Sequence, residues 1–116
     1  MISKLHRFHG RTSLGYVYRQ GKQLRTQSMA LKFAANPRRK TYRCAVVVGK
    51  KVNKSAVVRN RIRRRIYEIV RQQNITEPYD LVFTVFSEEV AGLPADKLKD
   101  PVEKLLLDAK VVTRSS

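Results

Sequence analysis

Arg59, Arg61, Arg63, Arg64 and Arg65 fall within seven residues of one another. Each guanidinium is a planar fork that can hold two phosphate oxygens at once, a geometry lysine cannot offer. Lys50, Lys51, Lys54 and Arg71 extend the set, so residues 50–71 (KKVNKSAVVRNRIRRRIYEIVR) carry nine cations and one acid, Glu68. A solvated basic helix usually interleaves acids at i±4, and one acid against nine cations directs this segment at a polyanion instead.

Residues for bond-breaking chemistry are not gathered in this way. His6 and His9 lie three apart near a basic terminus, and no acid precedes Glu68, so they complete no zinc-type ligand set. The carboxylates lie mostly in the last third, with no spacing that pairs an acid with a base. Gly49-Lys50-Lys51 has the end of a phosphate loop without its upstream glycine or the Ser or Thr that should follow. No catalytic side chain and no tightly held cofactor is expected. Tyr16, Tyr18, Phe33, Tyr42 and Tyr67 could stack on unpaired bases. Phe33 and Tyr42 read as half-buried strand residues, which leaves Tyr18 and Tyr67 as the better platforms.

These side chains need elements to hold them. Val58, Ile62, Ile66 and Ile69 form one stripe at helical spacing, with Ser55 as N-cap. They predict a central helix running to about Gln73 whose remaining circumference is basic. Leu14, Val17 and Tyr18, closed by Gly21, predict a short helix over residues 13–20. Residues 25–34 alternate with period two, and residues 42–48 are an apolar β-branched run. Separated by Asn36-Pro37 and the basic tip Arg38-Arg39-Lys40, they are expected to pair as a hairpin. Residues 79–86 (YDLVFTVF) predict a further buried strand, joined to 42–48 by a parallel crossover that the general rule makes right-handed. Leu98, Val102, Leu105, Leu106 and Ala109 predict a closing helix with Asp100-Pro101 as its cap and first position. The expected fold is α+β in one domain over residues 1–116. A small mixed sheet of about four strands packs with a short N-terminal helix, the long basic helix in a βαβ crossover and a C-terminal helix.

Charge is divided unevenly along the 116 residues. Residues 1–71 hold 20 of the 25 Lys and Arg and one of the nine acids, a net +19, while the rest carries −3. A body with such a field is relieved by an anionic partner that releases counterions on contact, and nucleic acid is the leading candidate. A membrane surface is the weaker one, because the apolar stripe is Val and Ile without Trp, Phe or Leu. The longest apolar run, residues 44–48, is far too short to span a bilayer, and the N-terminus reads as no secretion signal. The single cysteine, Cys44, suits a buried hydrophobe, and a cytoplasmic protein is the simplest reading.

The run KKVNKSAVVRNRIRRRIYE resembles the signature of the bacterial ribonuclease P protein family, in which a Lys-Lys loop leads into Ala-Val-x-Arg-Asn-Arg and further basic residues on one helix. The likeness covers most of the chain, from a helix ending at Arg19-Gln20-Gly21 to a strand opened by Asp80. It implies an α+β sandwich with a left-handed crossover, contrary to the general rule. It also implies a protein that cuts no bond itself, since a partner RNA holds the Mg2+ ions and removes the 5′ leader of precursor tRNA. Arg59, Asn60 and Arg61 match the Arg-Asn-Arg core. With Arg63, Arg64, Arg65 and the loop residues Lys50, Lys51 and Lys54, they are the implied contacts to the catalytic RNA. Asn60 also fits a polar link to phosphate or a bound metal ion. Leu14, Tyr18, Lys32 and Tyr67 are assigned to a leader-binding cleft, Leu14 standing where an aromatic is common. The 52–55 loop is one residue longer than the usual form, with Asn53 or Lys54 in place of a glycine. No protein partner is expected. A ribosomal or other structural RNA-binding protein is the alternative. A DNA-binding regulator would need a helix-turn-helix lead-in that this sequence lacks.

Overall fold

Between Gly21 and Asn36 the chain makes two strands where the period-two pattern suggested one. In the computed structural model, which describes Val17, residues 21–37 and residues 40–111, β1 (Lys22–Arg25) and β2 (Met29–Ala35) pair antiparallel. Leu24 lies opposite Leu31 and Arg25 opposite Ala30. Thr26 closes the turn: its N–H donates to the Met29 carbonyl at 2.8 Å, and its hydroxyl accepts from the Met29 N–H at 3.3 Å. Thr26, Gln27 and Ser28 keep up the alternation without a Gly or Pro to interrupt it, so the pattern reads straight through the turn. Leu14, Tyr16, Tyr18, His6, His9, Arg38 and Arg39 fall outside the described residues, as does the helix expected over 13–20 apart from Val17.

The expected hairpin of residues 25–34 with 42–48 does not form. β3 (Arg43–Val48) and β4 (Tyr79–Val85) run parallel, joined by helix α1 (Ala56–Arg71), and β4 inserts beside β2 to give the order β1-β2-β4-β3. β2 pairs antiparallel with β4 from Met29 opposite Val85 to Ala35 opposite Tyr79. Leu81, Val82, Phe83 and Val85 are buried on both faces of β4, which therefore takes an interior position and leaves β3 at the edge.

The Ser55 hydroxyl caps α1, accepting from the Val58 N–H at 3.3 Å. The expected stripe is buried at Ile62, Ile66 and Ile69, with Val58 packed at its margin and Tyr67 and Val70 added to it. A 3-10 turn (Glu88–Gly92) precedes helix α2 (Ala95–Asp108). α2 begins well before Asp100-Pro101, and Pro101 lies inside it, unable to donate to the Lys97 carbonyl four residues back. Leu98 explains the early start. It is fully buried and in line with Val102 and Leu105, and that burial offsets one missing hydrogen bond.

Both helices pack on one face of the sheet, where Met29, Leu31, Cys44, Val46, Leu81 and Phe83 join Ile62, Ile66, Leu98 and Leu105 in one core. Alternation turns Lys32, Ala45, Val47, Asp80, Val82 and Thr84 to the other face. There Val17 forms a separate small cluster with Val82 and Ala45. Gly21 brings that segment against the sheet, its N–H donating to the Val17 carbonyl at 2.7 Å. A Cβ on Gly21 would stand under 3.0 Å from two backbone oxygens, those of Val17 and Phe33. Gly21→Ala is therefore expected to destabilise the fold by about 1–3 kcal/mol, read as a lower denaturant midpoint. An unchanged midpoint would refute the close approach.

Candidate nucleic-acid interface

The basic residues sit on a loop and a helix fixed to each other by several bonds. Val52 is buried in the core, and its N–H closes a turn on the Gly49 carbonyl at 3.1 Å. The Asn53 side chain accepts from the Ser55 N–H at 2.9 Å, a local turn that asparagine favours. Arg59 then reaches back and donates from one nitrogen to the carbonyls of Asn53 at 3.0 Å and Lys54 at 2.9 Å. Among the described non-glycine residues only Lys110 has a positive φ, so the 52–55 loop closes without a left-handed residue at 53 or 54. Lys50, Lys51 and Lys54 project outward, exposed, from this closed loop.

The five arginines divide by what they hold. Arg61 donates to the Ala91 carbonyl at 3.2 Å and Arg65 to the Leu93 carbonyl, both at the end of the 3-10 turn. A helix end leaves carbonyls without internal donors, and these guanidiniums supply them. Arg63 donates to the Asn60 amide oxygen, so a metal ion bound there would have to displace a guanidinium. Arg64 is exposed and has no hydrogen-bond or ion-pair partner among the described residues. Five N–H donors per guanidinium leave each braced arginine with donors for an incoming phosphate, and bracing removes side-chain freedom before it arrives.

At the far end of α1 the field is cancelled. Arg71 grips Glu68 through two nitrogens, Nε to Oε2 at 3.1 Å, and this bond holds the Glu68 carboxyl down to about 2. Within residues 50–71 the uncompensated positive charge is thus concentrated on the loop and on residues 59–65. In the core beneath, burial pushes the Cys44 thiol far above its usual range and, with a contribution from Cys44, the Tyr42 hydroxyl to about 12. Neither is an anion near neutrality.

The cleft residues are not all brought together. Lys32 lies half-buried on the sheet face away from the helices, opposite Val82. Tyr67 is on the helix side, 9 % exposed, its hydroxyl accepting from the Val46 N–H at 3.2 Å on the outer edge of β3. It supplies a partner for that edge amide, and its burial removes it from the cleft with Lys32. Leu14 and Tyr18 lie outside the described residues.

The sequence reading missed one constellation entirely. Asp80 is fully buried on the face away from the helices and accepts from Arg43 Nε (Oδ1) and Nη2 (Oδ2), each at 2.9 Å, and from Asn36 Nδ2 (Oδ2) at 2.9 Å. One carboxylate thereby ties the starts of β3 and β4 to the end of β2. The available signal was a lone acid in an apolar strand, which demands partners when buried.

Against known proteins, the sequence profile of the family described as Ribonuclease P matches residues 2–110. The ribonuclease P protein component of Chloroflexus aurantiacus is 44 % identical over 77 residues, covering 65 % of this chain and 56 % of that protein. The chain thus matches little more than half the length of that relative. The corresponding component of a Pseudanabaena species is 32 % identical over 115 residues, covering 97 % of each. A solved structure of the Staphylococcus aureus RNase P protein superposes with a TM-score of 0.81 over 93 % of this chain and 98 % of that one, at 22 % identity, which speaks for the fold. On the profile match and the Pseudanabaena relative, the chain belongs to the Ribonuclease P family.

Proposed function

We propose that this chain is the RNA-binding protein subunit of a ribonuclease P ribonucleoprotein, promoting endonucleolytic removal of the 5′ leader from precursor tRNA. The observation that carries the reading is the braced basic surface, in which Arg59, Arg61 and Arg65 are held by backbone carbonyls while Lys50, Lys51, Lys54 and Arg64 face solvent. Pre-positioned forks and free lysines suit the phosphates of a folded RNA, with release of counterions as the driving term. On this reading Asn60 and Arg63 act as a pair, Arg63 held on the amide while its remaining donors face the RNA.

The cut belongs to the partner RNA, which carries the Mg2+ ions, and the protein lowers the repulsion between that RNA and precursor tRNA. Lys32 on the sheet face away from the helices, with Leu14 and Tyr18 from the N-terminal segment, is assigned to the leader. No described helix is long and apolar enough to cross a membrane, and a cytoplasmic site of action is part of the same proposal.

Purification of the tagged chain from its own cells at moderate salt tests the partner. A single RNA of a few hundred nucleotides that cleaves precursor tRNA is the expected companion. Co-sedimentation with ribosomal subunits instead would overturn the reading in favour of a ribosomal protein.

A further inference from the structure

Phe86 follows the last residue of β4 and is 39 % exposed, although it is one of only four phenylalanines in the chain. Alternation places it on the face away from the helices with Thr84 and Val82, since Val85 before it belongs to the core. The Arg25 guanidinium lies over its ring, 4.9 Å from the centroid. Arg25 reaches it from β1, opposite Ala30 and hence on the same face. Val47, 37 % exposed and opposite Thr84, adds an apolar neighbour on that face.

Taken singly, an arginine over a surface phenylalanine is a common way to cover a ring. Its position here gives it a further use. Arg25 is level with Ala30, two residues from Lys32, and Phe86, whose N–H donates to the Ser28 carbonyl, is level with Ser28, four residues from Lys32, so the guanidinium and ring lie about 7 and 13 Å along the same face from Lys32. That is one to two steps of an extended polynucleotide. A strand whose phosphate meets Lys32 therefore brings a neighbouring base to the ring and guanidinium. Glu88 and Glu89 follow just beyond Phe86 and disfavour a phosphate at this end. The uncharged, flat part of a nucleotide is the part that fits.

We propose that Arg25 and Phe86 form a stacking platform for one unpaired base of the RNA strand that runs past Lys32 on the sheet face away from the helices. The inference rests on the leader-binding reading above and deepens it by naming the residues and the moiety they take. Recognition is by stacking, which every base can satisfy, so the platform tolerates sequence. It holds the strand in register beyond the point fixed by Lys32.

The test uses the reconstituted holoenzyme and precursor tRNAs in which one leader nucleotide at a time is made abasic. With the parent protein, affinity is expected to fall about five-fold or more at one leader position and little at its neighbours. With Phe86→Leu, which keeps an apolar side chain but no ring, the intact leader binds about five-fold more weakly and the abasic change at that position costs nothing further. If both proteins lose the same amount at that position, or no position responds, the platform is overturned while leader binding stands. If the parent holoenzyme binds leader-bearing and leaderless tRNA equally, the leader reading falls and the platform with it.

Discussion

Asp80→Ala melts about 10–20 °C below the parent chain, the consequence of a loss of about 3–5 kcal/mol. Arg43 is only 14 % exposed, and without Asp80 its guanidinium and the Asn36 amide lose their shared acceptor inside the protein. Taking one partner from a buried pair leaves the other charge uncompensated, which costs more than the intact pair contributes over an apolar substitute. Removing both charges together, as Arg43→Leu with Asp80→Leu, is accordingly expected to recover part of the loss. Thermal melts of the single and double variants check this. A melting temperature for Asp80→Ala within a degree or two of the parent would show that three strand ends do not depend on this carboxylate.

Lys50, Lys51, Lys54 and Arg64 changed together to Gln leave stability almost untouched and flatten the salt dependence of RNA binding by about three to four units of the log–log slope, near one for each lost phosphate contact. All four are exposed and unpartnered among the described residues, so their loss breaks no internal bond. Arg59→Gln behaves differently. It releases the Asn53 and Lys54 carbonyls, loosens the loop that presents the lysines, and lowers affinity and loop protection together. Binding titrations against salt, paired with hydrogen exchange over residues 50–55, separate these outcomes. A quadruple variant with the parent slope would remove the loop and Arg64 from the interface.

How far the sequence spoke depended on how local the governing interaction was. α1 was legible because its cap, stripe and basic arc all lie within its own residues, and Ser55, Ile62 and Ile66 do what their spacing implies. Strand pairing was not. Which strand lies beside β2 is settled by β4, 44 residues on from Asn36 at Asp80, being buried on both faces and so drawn to the middle of the sheet. Pro101 misled for a related reason. Its local preference for a helix start yields to the burial of Leu98 upstream.

The site shows the same split. Arg59 to Arg65 could be named from type and spacing, but the bracing of Arg61 and Arg65 comes from carbonyls 28 to 30 residues away at Ala91 and Leu93. Tyr67, an aromatic beside the basic arc, looked like a platform and is instead the hydrogen-bond partner of an edge amide. Phe86, unremarked at the end of an apolar run, is exposed. No pattern of hydrophobicity distinguishes the two, because the difference is made by which element covers each ring.

The most direct measurement is cleavage of precursor tRNA by the matching catalytic RNA at low Mg2+, with and without this protein. Clear stimulation by the protein, none from the protein alone once stripped of nucleic acid, and a smaller gain with the quadruple variant are the results expected of a cationic subunit that assists an RNA catalyst. Cleavage by the nucleic-acid-free protein, or a reaction that the protein leaves unchanged, would contradict the account.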